Sequence, residues 1–306
     1  MKFDWMKGSF GISAHWTSHS VCPDGSHLPY EEAVNRFNVD DFANSLSNVG
    51  AKHCIFTLTH AEQRLALPHP ILEKLYPGST TQRDLIGEII NALQKRNIHF
   101  IAYYNHSCNG NDNIPWKKFS GYDAGINGNL DQFADNICNI VEFISKRYGS
   151  GISGWWFDSG YSVDLRGPIN TVSTDLGNWL FPWKKLTAAA RSGNPDSAIT
   201  VNAGIGSHFR YTDDIDYYAG ETVQFDEPFT PDPLPTIQDH RWTCADHTAW
   251  VFHKRVAQGG FVPLRWGPDK TREFVKIHQT QGRMVTFNFL IDQLGHFNPH
   301  LLDLIK

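Results

Sequence analysis

Paired cysteines, basic runs and long apolar stretches are all scarce or missing in these 306 residues. The five cysteines (Cys22, Cys54, Cys108, Cys138, Cys244) are scattered, odd in number and never spaced CxxC, which argues against a zinc cluster and for reduced thiols. A net charge of −5, from 27 basic and 32 acidic residues, argues against a general binder of nucleic acid or anionic membrane, and no dense Lys/Arg run restores that idea. No stretch is long and apolar enough for a membrane helix, and residues 1–8 carry charge where a signal peptide needs an apolar run. The expected location is therefore the cytoplasm, or the periplasm or exterior if a leader has been removed. No GxGxxG follows the first strand, and neither HExxH nor GxSxG occurs. His15 and His19 stand four apart, but in a strand-to-loop segment where that spacing does not put both on one face. No metal and no cofactor is expected.

What the chain has in quantity is aromatic surface: 13 % Phe, Trp and Tyr, with ten tryptophans. Such side chains offer flat apolar faces with a polar edge, suited to sugar rings as well as to a core. Apolar segments at 10–14, 51–60, 98–104, 155–158, 198–203, 214–221, 241–246 and 284–289 read as eight strands. Helices are expected between them at 40–48, 82–96, 130–148, 174–192 (interrupted by Pro182), 271–281 and 299–305. Strands that are mostly apolar throughout, alternating with helices, indicate an α/β fold with a parallel sheet covered on both faces. Eight such units in this length suit a single (β/α)8 TIM-like barrel, with residues 1–306 as one catalytic domain.

In such a barrel the C-terminal strand ends form the active rim. There the chain delivers His15, His60, Tyr103 with Tyr104, His106, Asp158, Asn202 and Glu221. The segment Gly154-Trp155-Trp156-Phe157-Asp158-Ser159-Gly160 is the most pointed of these, a buried strand closing on a carboxylate and a flexible pair. Two carboxylates suffice for glycoside hydrolysis, one attacking the anomeric carbon and one protonating the leaving oxygen. Asp158 suits the nucleophile, and Trp156 and Phe157 could wall the sugar site. Glu221, Asp226, Glu227 and Asp232 are the acids after the sixth strand, and Glu221 lies nearest the strand end. The histidines at strand ends suit hydrogen bonds to substrate hydroxyls. The rival readings are a catalytically silent carbohydrate-binding barrel and a metal-dependent barrel hydrolase.

The chain resembles glycoside hydrolase family 29, the α-L-fucosidases, in its catalytic barrel. Phe10-Gly11-Ile12-Ser13-Ala14-His15-Trp16 is similar to that family's GIFIHWG segment, and Gly50-Ala51-Lys52-His53 through Thr59-His60-Ala61-Glu62 to its GAKY…TAKHHDGF strand. Tyr103-Tyr104 sits where the family has GVYYS, and Trp156-Phe157-Asp158-Ser159-Gly160 matches WFDGG. Ala219-Gly220-Glu221 is similar to PAE; Trp242-Thr243-Cys244 with Trp250, and Asn288 with Gly295, are similar to WETC…WGY and LLLNIGP…G. The resemblance spans about residues 8 to 297. It implies a retaining exo-glycosidase with Asp158 as nucleophile and Glu221 as acid/base. It also implies sugar contacts from His15, His60, Tyr104 and Trp156, and a terminal fucoside or similar glycoside as partner; Trp16, His106, Asn202 and Trp250 are further candidates for substrate binding. The chain departs from the pattern at His60-Ala61, where the family pairs two histidines, and at Val201-Asn202-Ala203-Gly204, which lacks the arginine of VNDRWG. It also lacks the glutamate of WETC. No room is expected within the 306 residues for the β-sandwich that commonly follows the barrel.

Overall fold

The computed structural model describes residues 3–60, 62–108, 114–168, 171, 176–225 and 234–305. Seven parallel strands form one sheet: β1 (Phe10–Ala14), β2 (His53–Thr59), β3 (His99–Asn105), β4 (Gly154–Asp158), β5 (Ala198–Val201), β6 (His240–Cys244) and β7 (Met284–Asn288). Their order is β5-β4-β3-β2-β1-β7-β6. The strands are buried on both faces, and the two faces carry different cores. Side chains of one parity, among them Ile12, Phe56, Tyr104, Trp155, Phe157, Ile199 and Phe287, join the large cluster under the helices. The other parity, with Ile55, Ile101, Tyr103, Trp156, Trp242 and Met284, fills the barrel interior. Strand alternation alone makes that division.

The gap between β5 and β6 is occupied by residues 216–222, which overlap the segment read from sequence as a sixth strand at 214–221. It forms no regular strand but still closes the ring. Asp216 N donates to Ile199 O (2.8 Å) on the β5 side; Tyr218 N donates to Gln238 O (3.0 Å) and Thr222 N to Trp242 O (2.8 Å) on the other. Isolated parallel bridges Tyr217–Gln238 and Glu221–Trp242 mark the same track. The architecture is thus an α/β barrel with one irregular stave. Gly220 explains part of the irregularity. Its φ is +74°, and a Cβ there would stand 2.5 Å from the carbonyl oxygen of His240. Only glycine allows the segment to seat Glu221 against β6. Gly220→Ala is expected to cost about 1–3 kcal/mol through strain and overpacking, and to displace Glu221. Thermal melting together with turnover checks this, and an unchanged melting point with full activity would refute it.

The helices follow their caps. The expected helix at 82–96 spans Leu85–Gln94 because the Asp84 carboxylate accepts the Gly87 amide at its N-terminus. The longest, Asp131–Tyr148, buries Phe133, Ile137, Ile140, Val141 and Ile144 at helical spacing. The helix read at 174–192 is shorter: it runs Trp183–Arg191 with Pro182 at its N-cap, since proline lacks the N–H that a helix interior needs. The final helix is a 3-10 turn, Pro299–Leu304. No helix among the described residues is long and apolar enough to cross a membrane.

Below the active rim a polar layer crosses the barrel. Thr286 Oγ1 meets His53 Nε2 at 2.7 Å and His240 Nε2 at 2.8 Å. Burial holds both imidazoles below their ordinary range, His240 at about 3, and the nearby His240 adds to the effect on His53. The unfolded chain takes up protons near pH 6.5 where the folded chain does not, so stability is complete above that pH and falls as pH drops toward 3. Each group can contribute up to about 1.4 kcal/mol per pH unit. Melting points at pH 7, 6 and 5 should fall in that order; a flat series would refute the sign.

Candidate active site

β4 ends in Asp158, and the next residue, Ser159, turns sharply in the left-handed region with φ +66°. Such strain in a non-glycine residue persists only where surrounding contacts hold it. Here it starts a 3-10 turn, Gly160–Ser162, that brings Tyr161 to the cavity wall. The Asp158 carboxylate accepts four hydrogen bonds. Oδ2 takes Tyr103 Oη–H (2.5 Å) and Asn105 Nδ2–H (3.0 Å); Oδ1 takes Asn202 Nδ2–H (2.9 Å) and its neighbour's Ser159 N–H (2.7 Å). Both oxygens are therefore fixed in direction. Tyr103 remains a phenol, its pKa raised well above 10 by burial and by the Asp158 charge. Tyr161 is raised as well, first by Asp158, then by burial, with Glu221 a smaller contributor.

The second acid is tied to the first through one amide. Asn202 Nδ2 donates to Asp158 Oδ1 at 2.9 Å and to Glu221 Oε2 at 2.7 Å. Laid end to end, those bonds allow the two oxygens no more than about 5.6 Å of separation. The amide cannot be reversed, because Asn202 Oδ1 accepts the Gly204 N–H at 3.0 Å. Asn202 thus positions the acid pair. Asn202→Leu should lower kcat about 10²-fold, the order expected when reacting groups shift by about 1 Å, with a smaller change in KM. Equal losses in kcat and 1/KM on full kinetics would argue instead for a substrate contact.

Both acids open into one cavity of about 200 Å³, walled by His15, His60, Tyr103, Trp156, Trp242 and Trp250. Its rings support one another: Tyr103 stacks on Trp156 at 5.1 Å, and Trp242 meets Trp156 edge-on at 4.4 Å. His15 is neutral, its pKa lowered to about 3 by burial and then by His60. Asn288 sets its tautomer. Asn288 Nδ2 donates to the Trp250 carbonyl at 3.0 Å, leaving Oδ1 to accept His15 Nδ1–H at 2.8 Å. His15 Nε2 is then left as a hydrogen-bond acceptor. Among the described residues, no three His, Cys, Asp or Glu side chains are placed to share a metal ion.

The structure brings together Asp158, Glu221, His15, His60, Trp156 and Trp250 in that cavity. It corrects the expected place of four others. Asn202 sits behind the acids rather than in the wall. Trp16 is buried against Phe37, with its Nε1–H on the Gln293 carbonyl at 3.1 Å. Tyr104 points under the helices, its hydroxyl accepting Gln63 Nε2–H at 2.6 Å. His106 lies beyond the end of β3 and donates through Nε2 to Ser159 O at 3.0 Å, bracing the turn after Asp158. For Tyr104 the reason is parity, since alternate side chains of β3 face opposite sides. Asp226, Glu227 and Asp232 lie outside the described residues.

The sequence reading put Tyr103 at the rim but not among the substrate contacts, and it missed Asn105, Tyr161 and Trp242 as lining residues of the cavity. Two of the four were recoverable. Asn105 and Tyr103 pair in register with Asp158 and Trp156, so counting back by twos from Asp158 puts them on the inner face. Tyr161 carried no such signal, because its place depends on the turn at Ser159.

The family model described as alpha-L-fucosidase matches residues 28–284. Tissue alpha-L-fucosidase of Bos taurus is 23 % identical over 89 % of this chain, which spans 64 % of the bovine protein. Among solved structures, an alpha-L-fucosidase of family 29 from Bacteroides thetaiotaomicron superposes with TM-score 0.65 at 15 % identity, over 99 % of this chain and 71 % of that one. An endo-fucoidan hydrolase of glycoside hydrolase family 107 gives TM-score 0.70 at 15 % identity, covering 99 % of this chain and 52 % of its own. At these identities the two structures establish the shared barrel.

Proposed function

The chain belongs to the α-L-fucosidase family, and from that premise we propose that it is a retaining exo-glycosidase acting on terminal α-L-fucosides. One observation carries this reading: the shared Asn202 amide holds the two carboxylates no more than about 5.6 Å apart at their nearest oxygens. Direct attack on the anomeric carbon calls for about 5–5.5 Å, whereas a water between acids calls for about 6.5–9.5 Å. The small cavity supports the exo mode, since about 200 Å³ falls below the roughly 300–1,000 Å³ of drug-sized sites and suits a single ring.

In the first step Asp158 attacks C1 of the sugar while Glu221 gives its proton to the departing oxygen. The C1–O bond breaks, a C1–Oδ bond forms, and the alcohol leaves neutral. Glu221, now a carboxylate, takes a proton from water; the hydroxide displaces Asp158 from C1, and both acids return to their starting states. His15 Nε2 accepts a substrate hydroxyl, and the tryptophan walls cover the apolar ring face. The silent binding barrel would lack a carboxyl facing Asp158; Glu221, on the same amide, favours catalysis.

The test is hydrolysis of 4-nitrophenyl α-L-fucoside followed by proton NMR. Early accumulation of α-L-fucose is expected. First formation of the β-anomer would exclude the retaining mechanism, and absence of turnover would exclude the fucosidase reading.

A further inference from the structure

Next to the sugar cavity lies a larger cleft of about 600 Å³, and His60 is part of the wall of both. Val21 and Val251 make part of it apolar. Lys254 and Arg255, both exposed on the short helix Lys254–Ala257, line it together with His19, His27 and His253. No Asp or Glu is among its lining residues. The nearby Glu62 is occupied elsewhere, accepting Ser18 Oγ–H at 2.6 Å and facing Arg64 at 3.5 Å. On a chain of net charge −5 this concentration of cations is local, and a concave, apolar-backed surface strengthens its field.

The cavity that holds the acids has room for about one ring, so the rest of a glycoside must extend out of it, and the cleft on the other side of the shared His60 wall is next to it. We propose that this cleft receives the leaving-group side of the substrate and selects an anionic one, a saccharide carrying a sulfate ester or a uronic carboxylate next to the cleaved bond. This rests on the fucosidase reading above. The Arg255 guanidinium matches either oxyanion as a two-pronged donor, and Lys254 adds a mobile point charge. The imidazoles of His19 and His253 supply further N–H donors at the sides, while His27 Nε2–H is held by the Ser18 carbonyl at 2.8 Å.

The experiment compares kcat/KM for fucosyl disaccharides whose second sugar is neutral, sulfated or a uronate, in wild type and in the double variant Lys254→Gln/Arg255→Gln. Both side chains are exposed, so the variant should fold. Wild type should prefer a charged acceptor by about tenfold at low ionic strength, with the preference shrinking at about 0.5 M salt. The double variant should bring the charged-to-neutral ratio within about twofold of one. The sulfate and uronate arms identify which oxyanion is read. Equal rates for all three in wild type, or an undiminished preference in the double variant, overturns the proposal. If even the nitrophenyl fucoside is not turned over, the fucosidase reading fails on its own. Calorimetric binding of the same disaccharides then decides whether the cleft discriminates by charge, and no difference between them sinks it.

Discussion

Asp158→Ala should lower kcat on an aryl α-L-fucoside by about 10⁴-fold or more, the scale seen when a covalent nucleophile is removed and only binding and neighbouring groups remain. The truncation leaves space beside C1, and azide can fill it. Added azide should restore turnover and give β-L-fucosyl azide, inverted at C1 because a single displacement replaces two. The variant also removes the acceptor for Tyr103, Asn105, Asn202 and the Ser159 amide. Some loss of stability is therefore expected, about 1–3 kcal/mol if one of these donors stays buried and unpaired. Measuring the melting point beside kcat separates that effect from chemistry. Retained turnover in a folded Asp158→Ala protein would remove the nucleophile assignment, and a rescue product with the α configuration would move the role to another group.

Glu221→Gln should produce a loss that depends on the leaving group. With a natural sugar aglycone, which needs its proton, the fall should be about 10²–10⁴-fold, the range of general acid–base catalysis. With a nitrophenolate, which leaves unassisted, formation of the fucosyl-enzyme should be hardly affected and its breakdown slowed, so that a burst of nitrophenol precedes the steady state. The glutamine oxygen can still accept the Asn202 amide, so the geometry survives while the proton is lost. Azide should now yield α-L-fucosyl azide with net retention, since Asp158 still acts first. The limb of the pH profile that reports the acid should disappear. Equal losses on both kinds of substrate would contradict the acid/base role of Glu221 and direct attention to Asp226 or Glu227.

The strand ends were legible from the chain because strands buried on both faces are nearly continuous apolar runs, and a polar residue closing such a run stands out. Asp158 and His15 were picked out in that way, and Glu221 by its place just after such a segment. The choice of Tyr104 over Tyr103 failed on a single step of register. Both residues are aromatic and both are buried, yet one faces the cavity and the other the helices. Trp16 failed for a related reason, being taken with the neighbouring His15 although adjacent side chains diverge. The sixth strand was legible in position but not in form, since the positive φ at Gly220 breaks the pleat that a strand needs.

By itself the sequence determined the class of fold and the residue types available at the rim, because hydrophobic periodicity and strand-terminal polarity are local properties of the chain. Only the tertiary structure decided that one amide just past the end of β5 spans two carboxylates 63 residues apart, and that Asn288 dictates which nitrogen of His15 is left as an acceptor. Hydrogen-bond direction and separations of a few ångström arise from how staves far apart in the chain come to lie side by side, and no pattern along a single strand encodes them.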